Sequence, residues 1–179
     1  MRPINRYLSN KIQASDIRAT DKTIHQIVKA ELDRLGHNTD LNHIDVSEVT
    51  NMYALFSCDD FYFGLKYEDL NPDISKWDVS NAENMQYMFY GDENFNKDIS
   101  NWDVSNVKNM SGMFWSCKNF NQDLSSWDVR KVENMYCMFN RCKNFNKDLS
   151  QWNVDKVKIM DHIFDDCPIK EEFKPKFKK

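Results

Sequence analysis

The sequence predicts an α/β repeat solenoid closed at its N-terminal end by a helix. Three observations predict it. Trp77, Trp102, Trp127 and Trp152 recur every 25 residues. Within each unit the apolar spacing changes from alternate residues to steps of three and four. A separate helical pattern precedes the first unit.

Residues 1–43 form an N-terminal arm and capping helix in this reading. Thr20 is placed to cap a helix with Ile24, Ile27, Val28, Leu32 and Leu35 on one face, ended by Gly36. The repeat region spans 44–167. It opens with a partial unit, 44–57, in which Ile44, Val46, Val49, Met52 and Phe56 fill the repeat columns. An insertion, 58–70, follows. Full units then occupy 71–94, 95–119, 120–144 and 145–167. Met85, Met110, Met135 and Met160 keep the period, as do Phe89, Phe114, Phe139 and Phe164. One unit cannot bury its own apolar side chains, so neighbours must share a core.

Inside a unit, Ile74, Trp77 and Val79 end in the alternation of a short strand. Val107, Met110, Met113 and Phe114 then follow helical spacing, with Ser105 ahead of them as a cap. Each unit reads as a short strand, a turn, a short helix or 3-10 turn, and a return loop. Residues 168–179 form a basic C-terminal tail, with Phe173 and Phe177 placed to fold back over the last unit.

The chain of 179 residues is 41% hydrophobic with a mean hydropathy of −0.74, which fits one water-soluble domain with a core. Its net charge of −4 is unevenly spread. Residues 40–169 hold 22 Asp and Glu against 12 Lys and Arg, and the excess base lies in the flanks. An acidic body argues against nucleic acid as the main partner, because phosphate binding needs a basic surface. No apolar run is long enough to cross a membrane or to serve as a signal peptide. The expectation is a protein cytoplasmic as synthesised, with a surface or released location by a non-standard route left open. Five cysteines, Cys58, Cys117, Cys137, Cys142 and Cys167, then read as reduced thiols.

The pattern FNxDxSxWDVSxVxxMxxMF over about 44–167 resembles the repeats of the BspA-like leucine-rich-repeat surface proteins. I-x-x-W-x-V stands where those repeats have L-x-x-L-x-L, and F-x-x-C appears at Phe114–Cys117, Phe139–Cys142 and Phe164–Cys167. The resemblance implies a leucine-rich-repeat-like right-handed stack, with a short parallel sheet on one face and short helices or 3-10 turns on the other. It implies a surface or secreted binding protein and carries no catalytic residues.

The outward positions of the expected strands form the first candidate partner-binding surface: Lys76, Asp78 and Ser80; Asn101, Asp103 and Ser105; Ser126, Asp128 and Arg130; Gln151, Asn153 and Asp155. A row of Asp78, Asp103 and Asp128 is an acidic strip suited to a basic protein or peptide. The competing reading is that each Asp makes a local turn hydrogen bond that the unit needs. Near-identity between units favours that local role, so the varied column Ser80, Ser105, Arg130 and Asp155 is the better seat of specificity. The insertion supplies a second candidate surface in Phe61, Tyr62, Phe63 and Tyr67, either as a partner anchor or as packing against the N-terminal helix.

The other clusters read as structure. Asp73, Asp98, Asp123 and Asp148 suit hydrogen bonding better than calcium, because glycine-rich turns are missing. Cys117, Cys142 and Cys167 lack zinc spacing, and His25, His37, His43 and His162 are scattered. The tryptophans follow the core period, not a sugar-binding strip. No glycine-rich phosphate loop or nucleophile elbow is present. The function expected is therefore a non-catalytic protein–protein interaction module, with no cofactor and no metal. It acts as a monomer or with weak self-association, and a basic protein is among the candidate partners. The alternatives are a structural, self-assembling protein, or a ligand-binding protein that depends on glycan or calcium.

Overall fold

In the computed structural model, residues 17–58 and 70–178 are described. Their regular elements are few. Strand β1 (Ile17–Arg18) pairs in parallel with β2 (Ile44–Asp45), with Ile17 opposite Ile44. Helix α1 (Ile24–Leu35) lies between them in sequence, and a 3-10 turn covers Glu171–Phe173.

This corrects the expected fold class. The α/β solenoid with a strand and a helix in each unit is not what forms. Among the described residues the only sheet is the two-stranded β1–β2 pair, which is open, and the only α-helix precedes the units. The units consist of turns, bends and isolated parallel bridges, so most of the molecule is loop.

The cause is local. The expected strand at Trp77–Val79 is interrupted by side-chain-to-backbone turns. Asp73 Oδ1 accepts the Ser75 N–H at 3.1 Å, and Asp78 Oδ1 accepts the Ser80 N–H at 3.1 Å. The Trp77 N–H closes a further turn onto the Ile74 carbonyl. The expected helix at Val107–Phe114 is broken by positive φ angles, +60° at Gly112 and +64° at Ser116. Tyr87, Cys137 and His162, with Arg141 and Asp166, repeat this left-handed backbone at the same two places in other units. A right-handed helix cannot contain such residues.

The helix-like periodicity instead serves a run of turns. Met88, Tyr90 and Asp92 donate their N–H groups to carbonyls three residues back. The peptides between them point across to the neighbouring unit. Met85, Tyr87, Phe89 and Gly91 donate to the carbonyls of Asn109, Ser111, Met113 and Trp115 at 2.8–3.0 Å. The same four bonds recur from Met110, Gly112, Phe114 and Ser116, and again from Met135, Cys137, Phe139 and Arg141. N–H groups face the C-terminal side and carbonyls the N-terminal side.

The apolar columns meet in one core. Trp77, Trp102, Trp127 and Trp152 are buried, and each indole N–H donates to a backbone carbonyl, as Trp127 does to Ile99 at 3.1 Å. Phe56, Phe89, Phe114, Phe139 and Phe164 lie ring on ring at 5.5–5.7 Å. Such pairs add about 1 kcal/mol each beyond area burial. Cys117 and Cys142 donate their thiols to the Phe89 and Phe114 carbonyls, and burial pushes both thiols well up.

Helix α1 closes the N-terminal side. Ile24, Val28 and Leu32 enter the core on one stripe, and Gly36 ends the helix with its N–H on the Leu32 carbonyl. The cap differs in detail from expectation, because the Thr20 N–H donates to Thr23 Oγ1. Leu35, expected on the buried face, is 42% exposed. Glu31 is buried instead. The Arg34 guanidinium and then His43 Nε2, at 2.9 Å, hold its carboxyl below the usual range against the effect of burial.

Candidate functional site

The twelve outward residues chosen from sequence are all exposed or half-buried. Each full unit makes the same turn here. The residue before the core valine accepts the backbone N–H two positions on: Asp78 from Ser80, Asp103 from Ser105, Asp128 from Arg130, Asn153 from Asp155, at 3.0–3.2 Å. The local role of the Asp row is thus present in the structure. It fixes the direction of the side chain that follows, in the varied column.

The varied column converges on a cavity. Ser105, Asp128, Arg130, Lys131, Asn153, Asp155 and Lys156 line an open hollow of about 590 Å³. The structure thus brings five sequence-chosen residues together, namely Ser105, Asp128, Arg130, Asn153 and Asp155. Lys76, Asp78, Ser80, Asn101, Asp103, Ser126 and Gln151 lie outside its lining. Phe61, Tyr62, Phe63 and Tyr67 of the insertion fall outside the described residues.

Sequence reasoning passed over Lys131 and Lys156. The column just after the varied one reads Asn81, Asn106, Lys131, Lys156. It changes from amide to cation where the cavity forms, and that change was the available signal. In the earlier units these asparagines bind the neighbouring backbone, Asn81 Nδ2 to the Ser47 carbonyl and Asn106 Nδ2 to the Ser80 carbonyl. Lys131 Nζ reaches back to Asn106 Oδ1 at 2.7 Å.

The electrostatics are mixed. Arg130 grips Asp128 with two bonds, Nε to Oδ1 at 2.8 Å and a terminal nitrogen to Oδ2 at 2.6 Å. That pairing holds the Asp128 carboxyl down at about 2. Lys178 from the tail reaches Asp155 Oδ1 at 2.9 Å. Three cations, Arg130, Lys131 and Lys156, thus line the hollow beside two carboxylates, Asp128 and Asp155. Asp103, one unit away, has its carboxyl lowered by the Ser105 hydroxyl and N–H.

The second Asp column does the same structural work. Asp98, Asp123 and Asp148 each accept the N–H of the serine two residues on, at 2.9–3.0 Å. Among the described residues no group of three or more His, Cys, Asp or Glu is placed to hold a metal ion. No helix among them is long and apolar enough to cross a membrane.

The comparison with known families is decided over the same residues. The model for a family described as Mycoplasma protein of unknown function, DUF285, matches residues 59–177, about two thirds of the chain. The chain belongs to the DUF285 family. The match takes in all four full units and the whole cavity lining, so the hollow lies within the DUF285 region. No curated protein and no solved structure matches the chain.

Proposed function

We propose that this DUF285 protein is a non-catalytic interaction module that binds a protein partner at the hollow between Asp128 and Lys156. The observation that carries the reading is convergence. Three positions of the varied column, Ser105, Arg130 and Asp155, meet in one concave place, on turns formed by the near-identical Asp103, Asp128 and Asn153. Varied side chains gathered in a hollow on a regular frame are how a repeated sequence can present a specific surface. The alternation of cation and carboxylate there suits a partner segment carrying both signs, because matched rows fix register and orientation. This differs from the acidic strip with a basic partner, since the lysines alter the local balance.

The likeness to BspA-like repeats supports a binding role, because those proteins are regarded as binding proteins.

The test is affinity capture from a host lysate, with the captured partner then purified and its affinity measured directly. The control carries Arg130→Glu and Lys156→Glu. A partner that binds the intact chain and loses at least about tenfold with a folded control supports the reading. Equal binding by both removes the hollow from the function. A failure to find any partner favours self-assembly, which light scattering over a concentration series reads directly.

A further inference from the structure

The bonds between units leave one edge open. Met135, Cys137, Phe139 and Arg141 donate their N–H groups to the last full unit. Twenty-five residues on, Met160, His162, Phe164 and Asp166 hold the equivalent N–H groups, and among the described residues these four have no acceptor. The tail makes no hydrogen bond to these four N–H groups, although Lys174 Nζ lies 5.7 Å from the Phe164 ring centroid. It bonds elsewhere, with the Phe173 carbonyl on the Leu149 N–H and the Lys170 N–H on Asn146 Oδ1. The opposite edge is treated differently. There Asp21 accepts from the Thr50 and Asn51 N–H groups, and His25 Nε2 lies 2.8 Å from the Tyr53 carbonyl.

The composition of the open edge departs from the repeat in a second, independent way. Asn51, Asn84, Asn109 and Asn134 mark the same column, and Ile159 replaces them in the last unit, where it is 45% exposed. The change from amide to isoleucine gives this edge an apolar side chain that the other units lack in that column. Met160 and Phe164 are half-buried, although Met135 and Phe139 above them are fully buried. The rim is acidic. Asp161, Asp165 and Asp166 are exposed. Asp165 faces His162 Nδ1 at 2.6 Å, Asp166 faces Lys143 at 3.6 Å, and Asp161 makes no ion pair among the described residues.

We infer that this edge binds a basic peptide segment of a partner protein through main-chain hydrogen bonds. The four N–H groups take carbonyls of the peptide, Ile159 takes an apolar side chain, and the three aspartates take its lysines or arginines. A second copy of the chain is the poorer occupant, because its body is itself acidic and its first-unit side meets helix α1, where His25 Nε2 lies 2.8 Å from the Tyr53 carbonyl. The inference stands apart from the hollow and uses none of its residues.

The experiment is amide hydrogen exchange and chemical-shift mapping on the full ¹⁵N-labelled chain. The probe is a capped peptide of about eight residues alternating Lys and Val, and its counterpart alternates Glu and Val. The expected result is that the amides of Met160, His162, Phe164 and Asp166 exchange fast alone and become protected with the lysine peptide. The glutamate peptide leaves them unprotected, Ile159→Asn weakens binding about fivefold, and Arg130→Glu leaves binding unchanged. Absence of protection at about 1 mM lysine peptide overturns the proposal, as does equal binding of the two peptides. Protection that grows with protein concentration alone also overturns it, by giving the edge to a second copy.

Discussion

At Asp92 the residue scale shows how one departure from the repeat carries a cost. Residues 25, 50 and 75 positions on are Cys117, Cys142 and Cys167. Asp92 is 1% exposed; its Oδ1 accepts the Phe95 N–H at 3.2 Å, and its Oδ2 is buried without a partner. Burial raises its pKa well above the usual carboxylate range, with the Asn94 and Phe95 N–H groups opposing only in part. A carboxyl whose folded pKa is raised holds its proton in the folded state after the unfolded chain has lost it, so stability falls as pH rises from about 4 upward. Asp92→Cys restores the thiol of the column. The variant should be more stable than the natural chain by about 1–3 kcal/mol at pH 7, with the gap shrinking toward pH 4. Urea titrations at the two pH values check this, and an equal gap at both sinks it. Gly112 is the opposite case. A Cβ there would lie 2.2 Å from the Tyr87 ring, at a φ of +60°. Gly112→Ala should lose about 2–4 kcal/mol, and the loss should shrink in a Tyr87→Ala background. Thermal melts of the four proteins in that cycle measure the coupling. A loss unchanged by removal of the ring assigns the whole cost to the backbone.

At the scale of elements, the closing segment before the units is held by few atoms. Asp21 takes the Thr50 N–H at 2.7 Å, the Thr50 hydroxyl at 2.7 Å and the Asn51 N–H at 3.0 Å. Burial opposes its ionisation, but the bonds from Thr50 and Asn51 outweigh burial and lower its pKa. Its contribution is therefore present above the ordinary carboxylate range and is lost as pH falls through it. Asp21→Ala should speed amide exchange at Thr50 and Asn51 and leave exchange near Met135 unchanged. Acceleration spread over all units would show that the segment is not a separate closure.

The same scale shows what the sequence made legible. Helix α1 and the buried Trp and Phe columns could be read because burial follows a period, and a period survives any local conformation. The strand and helix inside each unit were misread for a physical reason. Steps of three and four are shared by a helix and by consecutive turns, and the difference lies in the φ of Tyr87, Cys137 and His162, residues that carry no glycine signal. Gly91 and Gly112 were such signals within the units. The hollow was half legible. Its varied column could be chosen by comparing units, but Lys131 and Lys156 join it only because the turn after Asp128 and Asn153 brings neighbouring columns to one rim.

For the molecule as a whole, the two ends of the unit series are finished by different means, and the C-terminal segment does more than its charge suggests. Ile169 is 5% exposed, Phe173 and Phe177 pack against the core, and Lys178 pairs with Asp155 at the hollow. The segment therefore joins the core to the candidate binding surface while leaving the N–H edge of the last unit free. Truncation after Pro168 removes three apolar side chains and frees the Leu149 N–H. It should cost about 3–5 kcal/mol, a fall in melting temperature of roughly 6–15 °C for a chain of this size. Lys178→Ala should cost less than about 0.5 kcal/mol, because an exposed pair contributes little, yet it uncovers Asp155 and should change partner affinity at the hollow. Melting curves separate the two effects. If truncation leaves the melting temperature unmoved, the tail is not part of the core, and the link between the C-terminus and the hollow falls with it.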